Sequence, residues 1–299
     1  MWVAWGEALD LVCGVDEKVS QLIDLALVED IGSGDVTSEF FVPGERMARA
    51  FLVAKESGVV AGVEVGAEVF RRVDGEIEVN VMLQDGASIA PGAYVMEATG
   101  RARSLLTAER TVINFVQRLS GVATKAASFV DAVKGTGATI IDTRKTTPGW
   151  RRLEKDAVVA GGGRSHRMGL YDRAMVKDNH LVVEGGVTAL RDAAIRLKEA
   201  HPGVEVEVEA ETLEQVEDFL KIGEFDYLLL DNMENEEMKR AVEMRGESER
   251  PLLEASGGVS LETVRGIAET GVEFISVGAL THSATALDLS LEFVEWEES

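Results

Sequence analysis

The sequence predicts an α/β protein: a small α+β domain followed by a barrel of parallel strands. After Gly137, short apolar runs recur at Ala138–Ile141, Ala174–Val176, Val204–Val208, Tyr227–Leu230, Leu252–Leu253 and Phe274–Val277. Helical stretches lie between most of them, at Thr188–Ala200, Leu213–Leu220, Asn235–Met244 and Leu261–Glu269. Strands that alternate with helices form parallel βαβ units. The Gly32-Ser33-Gly34 turn lacks the third glycine and the preceding strand of a dinucleotide-binding unit. Six units without those glycines favour a barrel, complete or truncated, over an open doubly wound sheet.

The elements before Gly137 differ in period. Asp16–Glu29 reads as an amphipathic helix, with Val19, Leu22, Ile23, Ala26 and Leu27 on one face and Gly32 and Gly34 stopping it. Strands are expected at Ala48–Ala54, Gly58–Ala61, Glu76–Met82 and Tyr94–Gly100, with a helix at Val63–Val73. The D-G-A and P-G-A turns at Asp85–Ala87 and Pro91–Ala93 suit sheet connections. A long helical region from Ser104 to Lys134 follows, with a break expected near Gly121 and Val112, Ile113, Phe115, Val116 and Leu119 facing inward. On pattern alone, Arg110 near its start reads as a surface charge.

Composition narrows the function classes. The 299 residues carry a formal charge of −23, which argues against nucleic acid as a partner because phosphate backbones need a basic face. One cysteine, Cys13, excludes an internal disulfide framework and argues against a Cys-based zinc site. The chain contains no apolar run of membrane-spanning length and no basic n-region leading into an apolar h-region. A cytoplasmic protein without a membrane partner is the expectation.

Against that acidity, Arg144 to Lys177 is locally basic. Arg144, Lys145, Arg151, Arg152, Lys155, Arg164, Arg167, Arg173 and Lys177 face three acids, Glu154, Asp156 and Asp172. Such an excess suits a site that gathers anions. The barrel predicts where, since chemistry lies at the C-terminal ends of the strands and phosphate sites favour the last two loops. Those ends carry Arg144–Lys145, Lys177–Asp178, Glu209, Asp231, Ser256-Gly257-Gly258 and Gly278 in order. Charged groups come first and glycines last, as a phosphorylated substrate at one barrel mouth requires.

Glu205, Glu207 and Glu209 alternate with valines and share a strand face, where burial makes idle acids costly. Glu209 is the expected site member; Glu205 and Glu207 are salt-bridged or at the other end of the barrel. Glu209 and Asp231 can hold Mg²⁺, directly or through water, together with a substrate diphosphate. Thr147-Pro148 reads as an N-cap and N1 pair opening a helix that suits an anion. Gly161-Gly162-Gly163 ends that helix, as a hinge or as backbone that approaches a ligand closely. His166, flanked by cations, is expected neutral; His180 and His282 read as structural hydrogen-bonders and His201 as a surface turn. Zinc-peptidase, P-loop and dithiol motifs are absent from the sequence.

These segments together resemble the quinolinate phosphoribosyltransferase family (nicotinate-nucleotide diphosphorylase, decarboxylating). The resemblance rests on D-T-R-K-T-T-P-G, G-G-G-x-x-H-R-x-G-L and V-K-D-N-H, with E-D-I-G-S-G-D-V-T-S and T-A-E-R-T-V-I-N-F-V-Q-R-L-S-G-V-A-T before them. L-L-L-D-N-M, E-A-S-G-G-V and I-S-V-G-A-L-T-H follow, so the likeness spans nearly the whole chain. Ser165, Trp150 and Arg173 depart from the family pattern and bear on fine substrate contacts.

The resemblance implies an N-terminal α/β sandwich domain, residues 1–117 with the tail 285–299 packing back on it, and an incomplete six- to seven-stranded barrel over 118–284. It implies a homodimer, possibly within a higher oligomer, whose site is completed by Arg110 of the partner chain. Quinolinate would be held by Arg110, Thr143, Arg144, Lys145, His166, Arg167 and Lys177. Phosphoribosyl diphosphate would meet Lys145, Lys177, Glu209, Asp231, Ser256, Gly257, Gly258, Val277, Gly278 and Ala279. Lys145, Glu209 and Asp231 would be catalytic. The implied reaction joins the two substrates, with Mg²⁺ as cofactor and loss of CO₂, to give nicotinate mononucleotide. The rival readings are a relative acting on nicotinate or another base, as in molybdenum-associated gene clusters, and a silent phosphosugar-binding homologue.

Overall fold

The computed structural model describes residues 16–177 and 187–294. Cys13, the Asp178-Asn179-His180 part of the V-K-D-N-H motif and the chain beyond residue 294 lie outside the described residues. The chain divides into two compact units, Met1–Thr124 with Thr285–Ser299, and Lys125–Ala284. The division falls inside one continuous helix, Ala102–Ala132, where a sequence offers no punctuation.

In the first unit, Asp16 caps the helix Glu17–Ile31 by accepting the Val19 N–H at 2.9 Å, and Gly32 closes it at φ 54°. Five strands follow: β1 (Met47–Ala54), β2 (Gly58–Val59), β3 (Glu78–Val81), β4 (Ser88–Ile89) and β5 (Tyr94–Arg101). β1 is central in an antiparallel sheet, flanked by β5 on one side and by the returning strand Leu289–Val294 on the other. β3 pairs with the far edge of β5. The helix Val63–Val73 packs against β3 and β5 and buries Val69 and Phe70. This is the small α/β layer that the pattern predicts.

The expected helix break near Gly121 does not occur. Ala102–Ala132 runs without interruption, and Gly121 serves packing instead: a Cβ there would overlap the Thr285 carbonyl oxygen. Glycine is required by the close approach of the returning chain, and a mid-helix glycine costs only about 1 kcal/mol.

The second unit contains β6 (Thr139–Ile141), β7 (Arg173–Val176), β8 (Glu205–Ala210), β9 (Tyr227–Asp231), β10 (Leu252–Ser256) and β11 (Phe274–Ser276). All are parallel, in the order β6-β11-β10-β9-β8-β7. Each strand from β7 onward pairs with the next, and the last pairs with the first. A doubly wound sheet reverses direction at a switch point, whereas this cyclic order belongs to a barrel. Among the described residues one seam stays open, between β6 and β7, where β6 makes only an isolated bridge from Ile141 to Arg164. The barrel is therefore incomplete, with six strands described. No described helix is long and apolar enough to cross a membrane.

Candidate active site

The C-terminal strand ends of the barrel unit meet at one mouth. Thr143, Lys145, Ser256, Gly257, Gly258, Val259, Ser276, Gly278, Ala279 and His282 line a cavity of about 340 Å³. Glycine is needed here for a stated reason. Gly257 and Gly258 adopt φ 99° and 59°, and a Cβ on Gly257 would overlap Asn232 Oδ1. A bare backbone turning at positive φ presents N–H groups to an anion. Val277 is not a lining residue; it is buried and donates its N–H to Ile141 O at 2.9 Å, fixing the strand end that carries Gly278. The Lys145 stem lies where a Gly278 Cβ would come within 2.9 Å, and Thr281 Oγ1 donates to the Lys145 carbonyl at 2.9 Å. His282 is set on the rim by the single helical turn Ala279–His282. Its only sequence mark as a site residue is its spacing of four from Gly278.

The acids gather beside this cavity. One carboxylate oxygen from each of Glu209, Glu211 and Asp231 lies within 4.8 Å of the others. Three oxygen donors suit a hard divalent cation such as Mg²⁺. Glu211 was not singled out from the sequence, because it falls one residue beyond its strand. Asp231 pairs in register with Ser256, which ties the acid to the glycine loop across β9 and β10. Asn232 Nδ2 donates to Asp231 Oδ2 at 2.7 Å, and Lys177 Nζ donates to Glu209 Oε2 at 2.7 Å.

The basic stretch does not act as a unit. Arg152 pairs with Asp156 at 2.7 Å on an exposed helix face. Arg164 lies over the Phe274 ring at 5.8 Å, and Arg151 donates to Thr146 Oγ1 and the Met168 carbonyl at 3.0 Å each. Lys155 is buried against Asp142. Arg173 bonds Glu205 Oε2 at 2.8 Å, lies 3.6 Å from Glu207 Oε2 and sits 3.9 Å over the Tyr227 ring. Glu205 and Glu207 are thus both ion-paired, below Glu209. Arg144 and Lys145 follow β6, Arg167 lies in the loop before β7, and Lys177 follows β7 with its ammonium on Glu209. Burial first, and the Arg144 guanidinium second, depress the Arg167 pKa. The two guanidiniums thus repel each other, a repulsion that an anion between them would relieve.

The expected N-cap at Thr147 is corrected. The helix is Arg151–Ala160 with Trp150 at its N-cap, preceded by a turn. Glu154 accepts the Thr147 N–H at 2.9 Å and its hydroxyl at 2.8 Å. A carboxylate already occupies this helix start, so it is not the anion site that Thr147-Pro148 suggested.

His166 also differs from expectation. Its ring faces the barrel interior, with Nε2 3.2 Å from Glu207 Oε2 and 3.2 Å from Glu254 Oε2, while Nδ1 accepts the Arg167 N–H at 2.7 Å. Both ring nitrogens are engaged. Burial opposes an imidazolium here, yet the hydrogen bonds and charges of the two glutamates outweigh it and raise the His166 pKa to about 9. The Nδ1 contact opposes a second ring proton, because a protonated Nδ1 cannot face an N–H at that distance. The expected neutral form is opposed by two glutamates that are remote from His166 in sequence. Burial first and Glu207 second raise the Glu254 pKa from 4.5 to about 7. Glu254 was missed because it sits inside E-A-S-G-G-V, where the glycines drew the reading. Arg110, in the first unit, is exposed on its helix.

Comparison with known proteins divides the chain within the same long helix. Residues 35–120 match the family model described as quinolinate phosphoribosyl transferase, N-terminal domain, and residues 122–292 match the C-terminal domain model. A chloroplastic nicotinate-nucleotide pyrophosphorylase (carboxylating) of Arabidopsis thaliana is 43% identical over 288 residues, covering 91% of this chain and 81% of that protein. The corresponding Mycobacterium leprae protein is 43% identical over 271 residues, covering 89% and 94%. The structure of the nicotinate-nucleotide pyrophosphorylase from Francisella tularensis superposes with a TM-score of 0.87 at 35% identity, covering 93% of this chain and 96% of that one.

Proposed function

The chain belongs to the quinolinate phosphoribosyltransferase family, and from that premise we propose how its residues divide the work of phosphoribosyl transfer. The enzyme joins quinolinate to 5-phosphoribosyl 1-diphosphate and releases diphosphate, CO₂ and nicotinate mononucleotide in de novo NAD biosynthesis. One observation supports the assignment of roles: Asp231 of the carboxylate cluster lies in register with Ser256 of the glycine-walled cavity.

The 5-phosphate sits on Ser256, Gly257, Gly258, Gly278 and Ala279, with Val277 holding the loop. Quinolinate's carboxylates are taken by Arg144, Arg167, Lys177 and Thr143, with Lys145 between the two substrates. Arginine forks match carboxylates bidentately, while lysine serves as a point charge. Glu209 and Asp231 face the ribose and stabilise the positive charge that develops at the anomeric carbon as diphosphate departs. Mg²⁺ held by Glu209 and Asp231, directly or through water, with Glu211 in reach, would neutralise the departing diphosphate. The ring nitrogen attacks the anomeric carbon as the C–O bond to diphosphate breaks; the pyridinium then stabilises the electron pair left on the ring carbon as the C–CO₂ bond breaks, and a proton from solvent takes up that pair to give nicotinate mononucleotide. That bond breaks without an organic cofactor because the ring is its own electron sink.

The working unit is a homodimer in which Arg110 of one chain completes the partner's site. Two features support this: Arg110 is solvent-exposed, and Phe40 and Phe41 are 81% and 83% exposed on the same unit, an apolar surface of the kind partners cover. The cytoplasm is the proposed compartment, supported by a single cysteine in the whole chain. Plant relatives carry chloroplastic and mitochondrial names.

Release of labelled CO₂ from carboxyl-labelled quinolinate, in the presence of Mg²⁺ and phosphoribosyl diphosphate, tests the reaction. Chelation of the metal is expected to stop it. Nucleotide formed from nicotinate but not from quinolinate overturns the substrate assignment. Arg110→Ala and Lys145→Ala, each inactive alone, are expected to regain activity when mixed, because one hybrid site then carries neither change. No recovery despite demonstrated subunit exchange overturns the shared site.

A further inference from the structure

Beneath the barrel mouth the interior is charged. Glu207 of β8 and Glu254 of β10 are buried at 0% and 1% exposure, and His166 lies between them. Each polar atom of His166 has a partner. Its N–H donates to Asp142 Oδ1 at 2.9 Å, and its carbonyl accepts from Lys155 Nζ at 3.3 Å. Nδ1 accepts the Arg167 N–H at 2.7 Å, and Nε2 meets the two glutamates. Burying four charged side chains around one residue is costly unless its placement matters. The residue whose placement it dictates is Arg167, whose guanidinium then reaches the Arg173 carbonyl and Met175 Sδ at 3.3 Å each.

We infer that Glu207 and Glu254 are positioning residues for the pyridine dicarboxylate: they clamp the His166 imidazole so that its Nδ1 fixes the Arg167 backbone and aims the Arg167 guanidinium beside Arg144. This rests on the quinolinate reading of the arginine pair and deepens it. Two carboxylate oxygens on separate strands, each 3.2 Å from Nε2, hold the ring from two sides by charge, where one would leave it a hinge. Tilting would withdraw Nδ1 from Arg167 and leave a half-buried N–H without its acceptor. Arg173, a departure from the family pattern, supplies compensating charge 3.6 Å from Glu207. A histidine and two carboxylates also make a donor set for a divalent cation. The Arg173 guanidinium, 3.4 Å from Nε2, opposes that use by charge and by occupying space beside the three donors.

The test is a double-mutant cycle on the full-length protein, with calorimetric binding of quinolinate and of phosphoribosyl diphosphate and thermal melting alongside. Glu254→Gln is expected to weaken quinolinate about tenfold and to leave phosphoribosyl diphosphate within about twofold. In an Arg167→Ala background the same change is expected to cost less than about twofold, because its effect passes through Arg167. Equal loss in both backgrounds, equal loss for both ligands, or no loss overturns the positioning role. Should Glu254→Gln fold poorly, His166→Gln is carried through the same cycle with the same expected outcomes. Wild-type binding of quinolinate is read first. Its failure sinks the proposed substrate, whereas additive losses in a quinolinate-binding enzyme sink only the role of Glu207 and Glu254.

Discussion

Asp231→Asn is expected to lower kcat about a hundredfold or more, with the melting temperature little changed. Asp231 closes β9 at half exposure, in register with Ser256 of the phosphate loop and grouped with Glu209 and Glu211. Phosphoribosyl transfer builds positive charge at the anomeric carbon while negative charge leaves with diphosphate. A fixed carboxylate on the ribose side acts on the transition state more than on the ground state, so its loss falls on kcat rather than on KM. The amide keeps the shape and the contact with Asn232 and removes the charge. Steady-state kinetics at saturating substrates check it. An enzyme that keeps more than about a tenth of its kcat would show that the acid does not face the reacting centre.

Arg144→Ala is expected to be the second large loss: kcat/KM for quinolinate falls by about a hundredfold or more, while KM for phosphoribosyl diphosphate holds. Arg144 follows β6, and its Nε is buried without a hydrogen-bond partner among the described residues. Its neighbour Arg167 is already depressed by burial and by Arg144 itself. A dianion between them relieves that repulsion, and the alanine variant forfeits both the contact and the relief. Arg144→Lys is expected to recover little, since an ammonium cannot reproduce a forked contact. Separate saturation curves for the two substrates check this. Parallel loss for both would place Arg144 outside the dicarboxylate subsite.

The parts of the site that the sequence revealed share one property: they lie at strand ends. Ser256-Gly257-Gly258 and Gly278-Ala279 announced a bare backbone, and Glu209 and Asp231 closed apolar strands where an idle acid is costly. Period and punctuation are local, and so are these marks. Gly121 shows the limit. As a letter within a helix it reads as a break, yet its cause is the Thr285 carbonyl, 164 positions later in the chain. Thr147 failed as a cap for a similar reason, because Glu154 folds back and takes its hydrogen bonds.

The sequence by itself determined the barrel class, the order of its strands along the chain and the family. Tertiary structure alone decided which charges are free to act. Of nine cations in one stretch, Arg152 is neutralised on a surface, Lys155 is spent on Asp142, and Arg173 is held by Glu205 and Glu207. It also decided that the ring of His166 turns inward to two glutamates, one of which the sequence reading passed over. The physical reason is range. Secondary structure follows from spacing over a few residues, whereas a charge is defined by what lies within a few ångströms, and here those neighbours come from strands as distant in sequence as β8 and β10.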